Sequence, residues 1–182
     1  MKQIKIPIFL IAVLLALSST LFAQGDPGET TRKVVTQYNQ AKDETEVEIS
    51  QLPLAVDKSK LAYVGATWIF KGKKPTSPPS DIIFIVSVFT VGAKKYPDIN
   101  QVSVMANGKS IGQIVMLNLD QRPFTEGEIL ETIGTRMKID IFRKMLEQET
   151  VTFQMGDSTF RLSRETIAKF IEFNNSIKAL TN

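Results

Sequence analysis

Ten residues, IIFIVSVFTV at positions 82–91, decide the fold. They are apolar at almost every position and rich in β-branched side chains, which favour a pleated strand over a helix. A short run that is apolar on both faces is typical of a strand buried in the middle of a sheet. Loop-forming residues flank it at 71–80 and 92–100. We therefore expect a central strand here, with the rest of the sheet on both sides of it.

The segments before this strand alternate apolar and polar residues, which predicts strands with one buried face. In 45–49, Val47 and Ile49 face one side while Glu46 and Glu48 face the other. Pro53 follows and indicates an edge strand or a bent strand. Residues 61–70 alternate again, and Trp68 falls on their apolar face, where it is more typical of a core than of a ligand site.

The segments after the central strand predict hairpins. Asn107-Gly108 tolerates the positive φ angles of a type I′ turn, which joins 101–106 to 109–119. Gly156-Asp157 is the turn of a second hairpin. The remaining predicted strands are 128–135, 151–155 and 159–162.

Two segments have helical spacing. Residues 139–148 predict a short helix, and Ser163 is a candidate N-cap for a C-terminal helix. The apolar stripe of that second helix contains Ile167, Phe170, Ile171, Phe173 and Ile177. We expect an α+β protein: a mostly antiparallel β-sandwich or open barrel of seven or eight strands, with a short helix and a C-terminal helix.

The N-terminus has the pattern of a secretory signal peptide. Lys2 and Lys5 precede an uncharged apolar run from residue 6 to residue 17, and Ala23 is a plausible cleavage residue. The run is shorter than the roughly 20 residues of a bilayer span. We predict a signal peptide at 1–23, a flexible arm at 24–43 and one globular domain at 44–182. An uncleaved N-terminal anchor is the alternative.

Composition excludes several kinds of chemistry. The chain has no histidine and no cysteine, so Ser-His-Asp triads, Cys-His dyads, His-ligated zinc and iron–sulfur clusters cannot form. Loss of the leader with its two lysines leaves 20 basic and 19 acidic residues, a net charge of +1. A near-neutral chain is not typical of a nucleic-acid binder. No motif predicts a cofactor or a metal.

One apparent catalytic motif is coincidental. Residues 108–112 read GKSIG and match the G-x-S-x-G nucleophile elbow. The elbow needs a strand-to-helix turn and a histidine partner, whereas Ser110 follows a predicted hairpin turn in a chain without histidine.

Loop residues supply the candidate binding site. Lysines commonly keep loops and strand edges soluble, but an aromatic residue beside lysines can also contact a partner. The candidate binding residues are Lys71, Lys73, Lys74, Lys94, Lys95 and Tyr96. Carboxylates near loops could instead pair for acid–base chemistry; they are Asp98, Asp120, Glu126, Glu128 and Asp157.

The C-terminal run VTFQMGDSTFRLS, residues 151–163, is followed by an amphipathic helix. Together with DETEV at 43–47 it resembles a loose group of exported bacterial proteins of unknown function, from about residue 38 onward. The resemblance implies export and a strand-rich fold, and it implies no activity.

These observations lead to one expectation and two alternatives for function. We expect a periplasmic or secreted, non-enzymatic binding or envelope-associated module whose partner is a protein or envelope component. We expect no nucleic-acid partner and no membrane span after cleavage. The alternatives are a small carboxylate-dependent hydrolase or lyase, and an envelope protein anchored by an uncleaved N-terminus.

Overall fold

The alternating segments of the sequence form nine strands in the described part of the computed structural model, and the segments with helical spacing form two helices. The structure describes residues 33–56, 62–91, 101–124 and 127–181. The predicted signal peptide, Asp98 and Glu126 lie outside these residues. The strands are β1 (Val35–Asn39), β2 (Glu44–Val56), β3 (Ala62–Lys71), β4 (Asp81–Val91), β5 (Gln101–Ala106), β6 (Lys109–Pro123), β7 (Glu128–Lys138), β8 (Val151–Met155) and β9 (Ser158–Leu162). The helices are α1 (Ile139–Leu146) and α2 (Arg164–Thr181).

All nine strands belong to one antiparallel sheet in the order β1-β2-β3-β4-β7-β6-β5-β8-β9. The last strand, β9, also pairs with β2 through Leu54–Val56. The strands from β2 to β9 therefore form a closed circuit of hydrogen-bonded neighbours, and β1 is attached to the outside of this circuit through β2.

Residues 82–91 belong to β4, which has a neighbouring strand on each side, as the sequence predicts. β4 pairs with β3 on one side and with β7 on the other. On its inner face Ile82, Phe84, Val86 and Val88 are buried, and the side chains of the other face are half-buried for most of its length. Because both faces lose water, an apolar run without alternation is stable at this position.

Aromatic side chains bind the two helices to the inner face of the sheet. Phe170 of α2 lies with its ring centroid 5.6 Å from that of Phe84 in β4 and 5.7 Å from that of Phe142 in α1. Phe153 of β8 lies 4.9 Å from Phe84. All four rings are at most 1% exposed. This contact between both helices and the sheet is the centre of the hydrophobic core.

β2 is bent at a bulge, as Pro53 predicts. Pairing with β3 shifts between Ile49 and Leu52, and Gln51 has a φ of 57°. The bulge brings the backbone of β2 against Gly65, where an added Cβ would lie 2.8 Å from the Ile49 carbonyl oxygen. The Pro53 carbonyl accepts a hydrogen bond of 2.9 Å from the Thr166 hydroxyl, which attaches the start of α2 to the bend.

Several local predictions are confirmed. Asn107 and Gly108 have φ angles of 49° and 76°, as a type I′ turn requires. The Ser163 hydroxyl accepts a hydrogen bond of 3.0 Å from the Thr166 backbone amide, so Ser163 caps α2. Trp68 is 5% exposed and belongs to the core. The predicted short helix at 139–148 is α1.

Three predictions differ from the structure. The described residues contain nine strands, not seven or eight, because β1 forms within the segment 24–43 that the sequence predicts to be a flexible arm. Its five residues are mostly exposed, so they show no apolar alternation. The strands form one sheet, not the two sheets of a sandwich. In the stripe of α2, Ile171 is 40% exposed and lies outside the core.

Candidate functional site

The alternation that buries β2 also creates a row of carboxylates on its outer face. Val47 and Ile49 point into the core, so Glu44, Glu46 and Glu48 point away from it. Alternate residues of a strand are about 6.6–6.8 Å apart. We call these three residues the carboxylate row. The sequence analysis identified the polar face of this strand but did not select its residues as a site.

The neighbouring strands give only the first member of the row a positive partner. Lys71 lies opposite Glu44 on β3, and its ammonium group lies 3.7 Å from the Glu44 carboxylate. Glu46 lies between Gln37 of β1 and Ile69 of β3. No basic side chain among the described residues forms an ion pair with Glu46 or Glu48.

Glu48 lies between one apolar and one hydroxyl neighbour. Val35 of β1 lies opposite it on one side and is 53% exposed. Thr67 of β3 lies opposite it on the other side and is 1% exposed. The Thr67 hydroxyl oxygen is buried without a hydrogen-bond partner among the described residues. A buried hydroxyl without a partner costs about 1–3 kcal/mol.

These surroundings change the protonation of both carboxylates. Burial, followed by the charges of Glu48 and Glu44, raises the pKa of Glu46 to about 7, and the positive charge of Lys42 opposes the rise. Burial also raises the pKa of Glu48, against a hydrogen bond with Ser50. Half-buried carboxylates without an ion-pair partner resist ionisation. A cation supplied from outside would relieve both residues.

The carboxylates stand in a line and do not converge on one point. No group of three or more acidic residues in the described chain is arranged to hold a metal ion. A single metal ion needs several oxygen ligands around one point. The row is therefore better suited to separate cationic groups that are spaced two residues apart along a strand.

The predicted binding lysines of loop 71–80 lie at one end of this row. Lys71 bonds to Glu44 and also donates to the Lys42 carbonyl oxygen at 3.1 Å. The Lys73 ammonium group lies 5.2 Å from the centre of the Tyr38 ring, within cation–π distance. The Tyr38 hydroxyl in turn donates to Asp43 at 2.8 Å. Lys71 and Lys73 thus contact the β1–β2 turn, and all three lysines, including Lys74, are exposed.

The second predicted lysine group falls on residues that the structure does not describe. Lys94, Lys95 and Tyr96 lie outside the described residues. In the chain they follow the end of β4, whereas loop 71–80 precedes its start. A strand of 11 residues is about 35 Å long. The two segments therefore leave β4 at opposite ends, and the structure gives no support for one combined lysine site.

The predicted carboxylates do not form a pair within the described residues. Asp120 lies opposite Thr132 on β7. Thr132 and Glu128 are four positions apart on that strand, which corresponds to about 13 Å. Asp157 belongs to the exposed turn between β8 and β9. The structure instead buries Glu131, which sequence reasoning did not select; its carboxylate accepts a hydrogen bond of 2.8 Å from Gln121 inside the sheet.

Ser110 lies in β6 directly after the hairpin turn, where it pairs with Met105 and is exposed. It therefore lacks the strand-to-helix turn of a nucleophile elbow. Two positions later, Gly112 lies against Ile141 of α1, with only 2.7 Å between an added Cβ and the Ile141 Cδ1 atom. The second glycine of the apparent motif thus has a packing role.

The fold and the row define an antiparallel α+β domain with a line of acidic residues on the outer face of its sheet. Comparisons with protein families, with curated proteins and with solved structures found no match to this chain. Among the described residues, no helix has the length and apolar character needed to cross a membrane.

Proposed function

We propose that this protein is an exported, non-enzymatic binding module that receives cationic groups of an envelope protein or envelope component on its carboxylate row. The observation that carries the proposal is the position of Glu46 and Glu48, half-buried and without an ion-pair partner among the described residues. Export is supported by the N-terminal pattern alone. The single sheet, whose pairing returns from β9 to β2, supports a barrel-like arrangement over the sandwich.

Binding of a cation would lower the free energy of both carboxylates. In the free protein both carboxylates bear the cost of burial, and Glu46 also bears the repulsion of Glu48. A lysine or arginine of a partner would remove the repulsion and complete the hydrogen bonds. Charge pairs with low exposure are worth more than pairs in open solvent, so binding here is specific to this part of the surface.

Calorimetric titration with pentalysine at low ionic strength tests the proposal. We expect the double variant Glu46→Gln with Glu48→Gln to bind about tenfold more weakly, which corresponds to about 1.4 kcal/mol. The matched control is Asp157→Asn with Glu149→Gln, which removes two exposed negative charges far along the chain and should change the affinity less than twofold. Equal losses in the two double variants would show that only net charge matters and would contradict the proposal.

One observation favours the hydrolase alternative. A carboxyl group with a pKa of about 7, such as Glu46, is suited to general acid catalysis at neutral pH. The row has its carboxylates side by side on one strand, whereas paired catalytic carboxylates flank the bond they cleave. Hydrolysis of nitrophenyl glycosides or esters that disappears in Glu46→Gln would favour this alternative; hydrolysis that is absent or unchanged would not.

A further inference from the structure

A strand edge that has no pairing partner among the described residues lies next to the carboxylate row. In the described part of the chain every strand from β2 to β9 has a neighbour on both sides, and only β1 has one neighbour, β2. As far as the structure describes the chain, the second edge of β1 therefore presents backbone amide and carbonyl groups that could pair with a further strand.

β1 also lacks three of the features that usually prevent strand addition. Its five residues, VTQYN, include no proline and no charge, and its register with β2 runs from Val35 to Asn39 without a bulge. Four of the five side chains are exposed. Charged side chains, prolines and bulges are common devices by which proteins protect an edge strand, and β1 has none of these three; its only protection of this kind is its length of five residues.

We propose that the cationic partner is an extended polypeptide segment that adds to the edge of β1 and has lysine or arginine at every second position. This inference rests on the function proposed above. It adds the backbone conformation of the partner, the strand to which it binds, and the spacing of its charges.

The pleat of the sheet determines the spacing of the partner's charges. Alternate side chains of a bound strand point to the same face and repeat at about 6.6–6.8 Å, which is also the interval between Glu46 and Glu48. The partner strand would lie two strand spacings, about 9.6 Å, from β2. Lysine and arginine have long aliphatic stems that carry the charge across such a gap.

The residues of β1 between the edge and the row are suited to this arrangement. Val35 and Gln37 lie on the same face as Glu48 and Glu46, directly opposite them. Val35 is 53% exposed and gives an apolar surface for a side-chain stem, and Gln37 adds no charge of its own. A cation that passes over Val35 reaches Glu48, which lies directly opposite Val35 on β2.

A second copy of this chain fits the edge less well. If β1 paired with another β1, the outward side chains brought in by the copy would be Val35, Gln37 and Asn39, none of which is cationic. The carboxylate row would gain no counter-charge from this pairing. Charge complementarity therefore selects a basic strand as the occupant.

The first test uses a synthetic heptapeptide with lysine at alternate positions and valine or threonine between them. One version is N-methylated at the lysine amides and a second version at the other amides. Because alternate amides of a strand point to opposite edges, one version can still pair with β1 and the other cannot. We expect the version whose methylated amides face β1 to lose at least tenfold in affinity for the full chain. The version whose methylated amides face away from β1 should change less than twofold.

Two variants of β1 provide a second test that does not depend on the peptide backbone. Gln37→Lys places a cation directly opposite Glu46, and we expect it to reduce the affinity for the unmethylated heptapeptide about tenfold. Thr36→Lys adds the same charge on the opposite face of the same strand and should leave most of the affinity in place.

The outcomes separate this inference from the proposed function. If both methylated versions bind equally and binding is still lost in the double variant of Glu46 and Glu48, the row binds cations through side chains alone and strand addition is wrong. If β1 amides are already protected from hydrogen exchange in a homodimer without peptide, a second copy fills the edge and the inference is wrong as well.

Discussion

At the scale of single residues, the protonation of Glu46 couples pH to stability. Its pKa is about 7 in the folded protein against 4.5 as the ordinary value. The folded state thus holds a proton that the unfolded state has lost between these two values, so stability falls as pH rises from about 4.5 to about 7.

We expect Glu46→Gln to remove this dependence. The variant should gain on the order of 1 kcal/mol over the unaltered protein at pH 8, since solvent screening limits the effect at a half-buried site, and no gain at pH 4. Urea unfolding at the two pH values measures the difference. Glu149→Gln, an exposed acid, controls for the loss of one charge. A gain of the same size at both pH values would contradict the assigned protonation.

A second residue-scale prediction concerns Gly65, which lies under the bulge of β2. An alanine Cβ would lie 2.8 Å from the Ile49 carbonyl oxygen and 3.2 Å from the Ser50 Cα atom, both of which are backbone atoms that cannot move alone. We expect Gly65→Ala to destabilise the fold by about 1–3 kcal/mol. Gly134→Ala is the matched control, because an added Cβ there has no neighbour within 4 Å. Equal stabilities of the two variants in chemical denaturation would show that the bulge is not close-packed.

The sequence predicts individual residues well where local geometry determines them. Asn107-Gly108 and Ser163 act through their own backbone neighbours, so their residue types were enough to predict the turn and the cap. Glu46 and Glu48 are recognisable from the sequence only as a polar face, because their burial depends on pairing with β1, a strand that shows no apolar alternation.

At the scale of elements, α2 completes the core. Phe170 is fully buried and contacts the rings of Phe84 and Phe142, whereas Ile171 next to it is 40% exposed. We expect Phe170→Ala to cost about 3–5 kcal/mol, the usual range for a buried phenylalanine. Ile171→Ala, on the same helix, should cost less than about 1 kcal/mol. Similar melting temperatures for the two variants would show that α2 is a detachable element.

Sequence patterns predict some strands of the sheet but not others. The run 82–91 and the segment 128–135 were predicted as strands because apolar and β-branched residues dominate them, and they are β4 and β7. β1 was missed because an exposed edge strand needs no apolar alternation. The pairing of β9 with β2 joins residues more than 100 positions apart, and no local pattern encodes such a pairing.

At the scale of the whole molecule, the N-terminal pattern predicts export. Lys2, Lys5 and the apolar run 6–17 are followed by Ala23, so the secreted or periplasmic product should begin at or near Gln24. N-terminal sequencing of the protein from the extracytoplasmic fraction checks this. An intact Met1 in the envelope fraction would indicate the uncleaved anchor, and an intact Met1 in the cytoplasm would contradict export altogether.

The central claim is that Glu46 and Glu48 bind cationic groups of a partner. Titration of the Glu46 carboxyl group tests this claim most directly. With ¹³C-labelled protein, NMR should show the Glu46 carboxyl group titrating near pH 7 in the free state. Saturation with the alternating lysine heptapeptide should lower that midpoint by at least about one pH unit, because a nearby cation favours the ionised form. A midpoint near the ordinary value of 4.5 in the free protein, or a midpoint near 7 that the bound peptide leaves unchanged, would contradict the account.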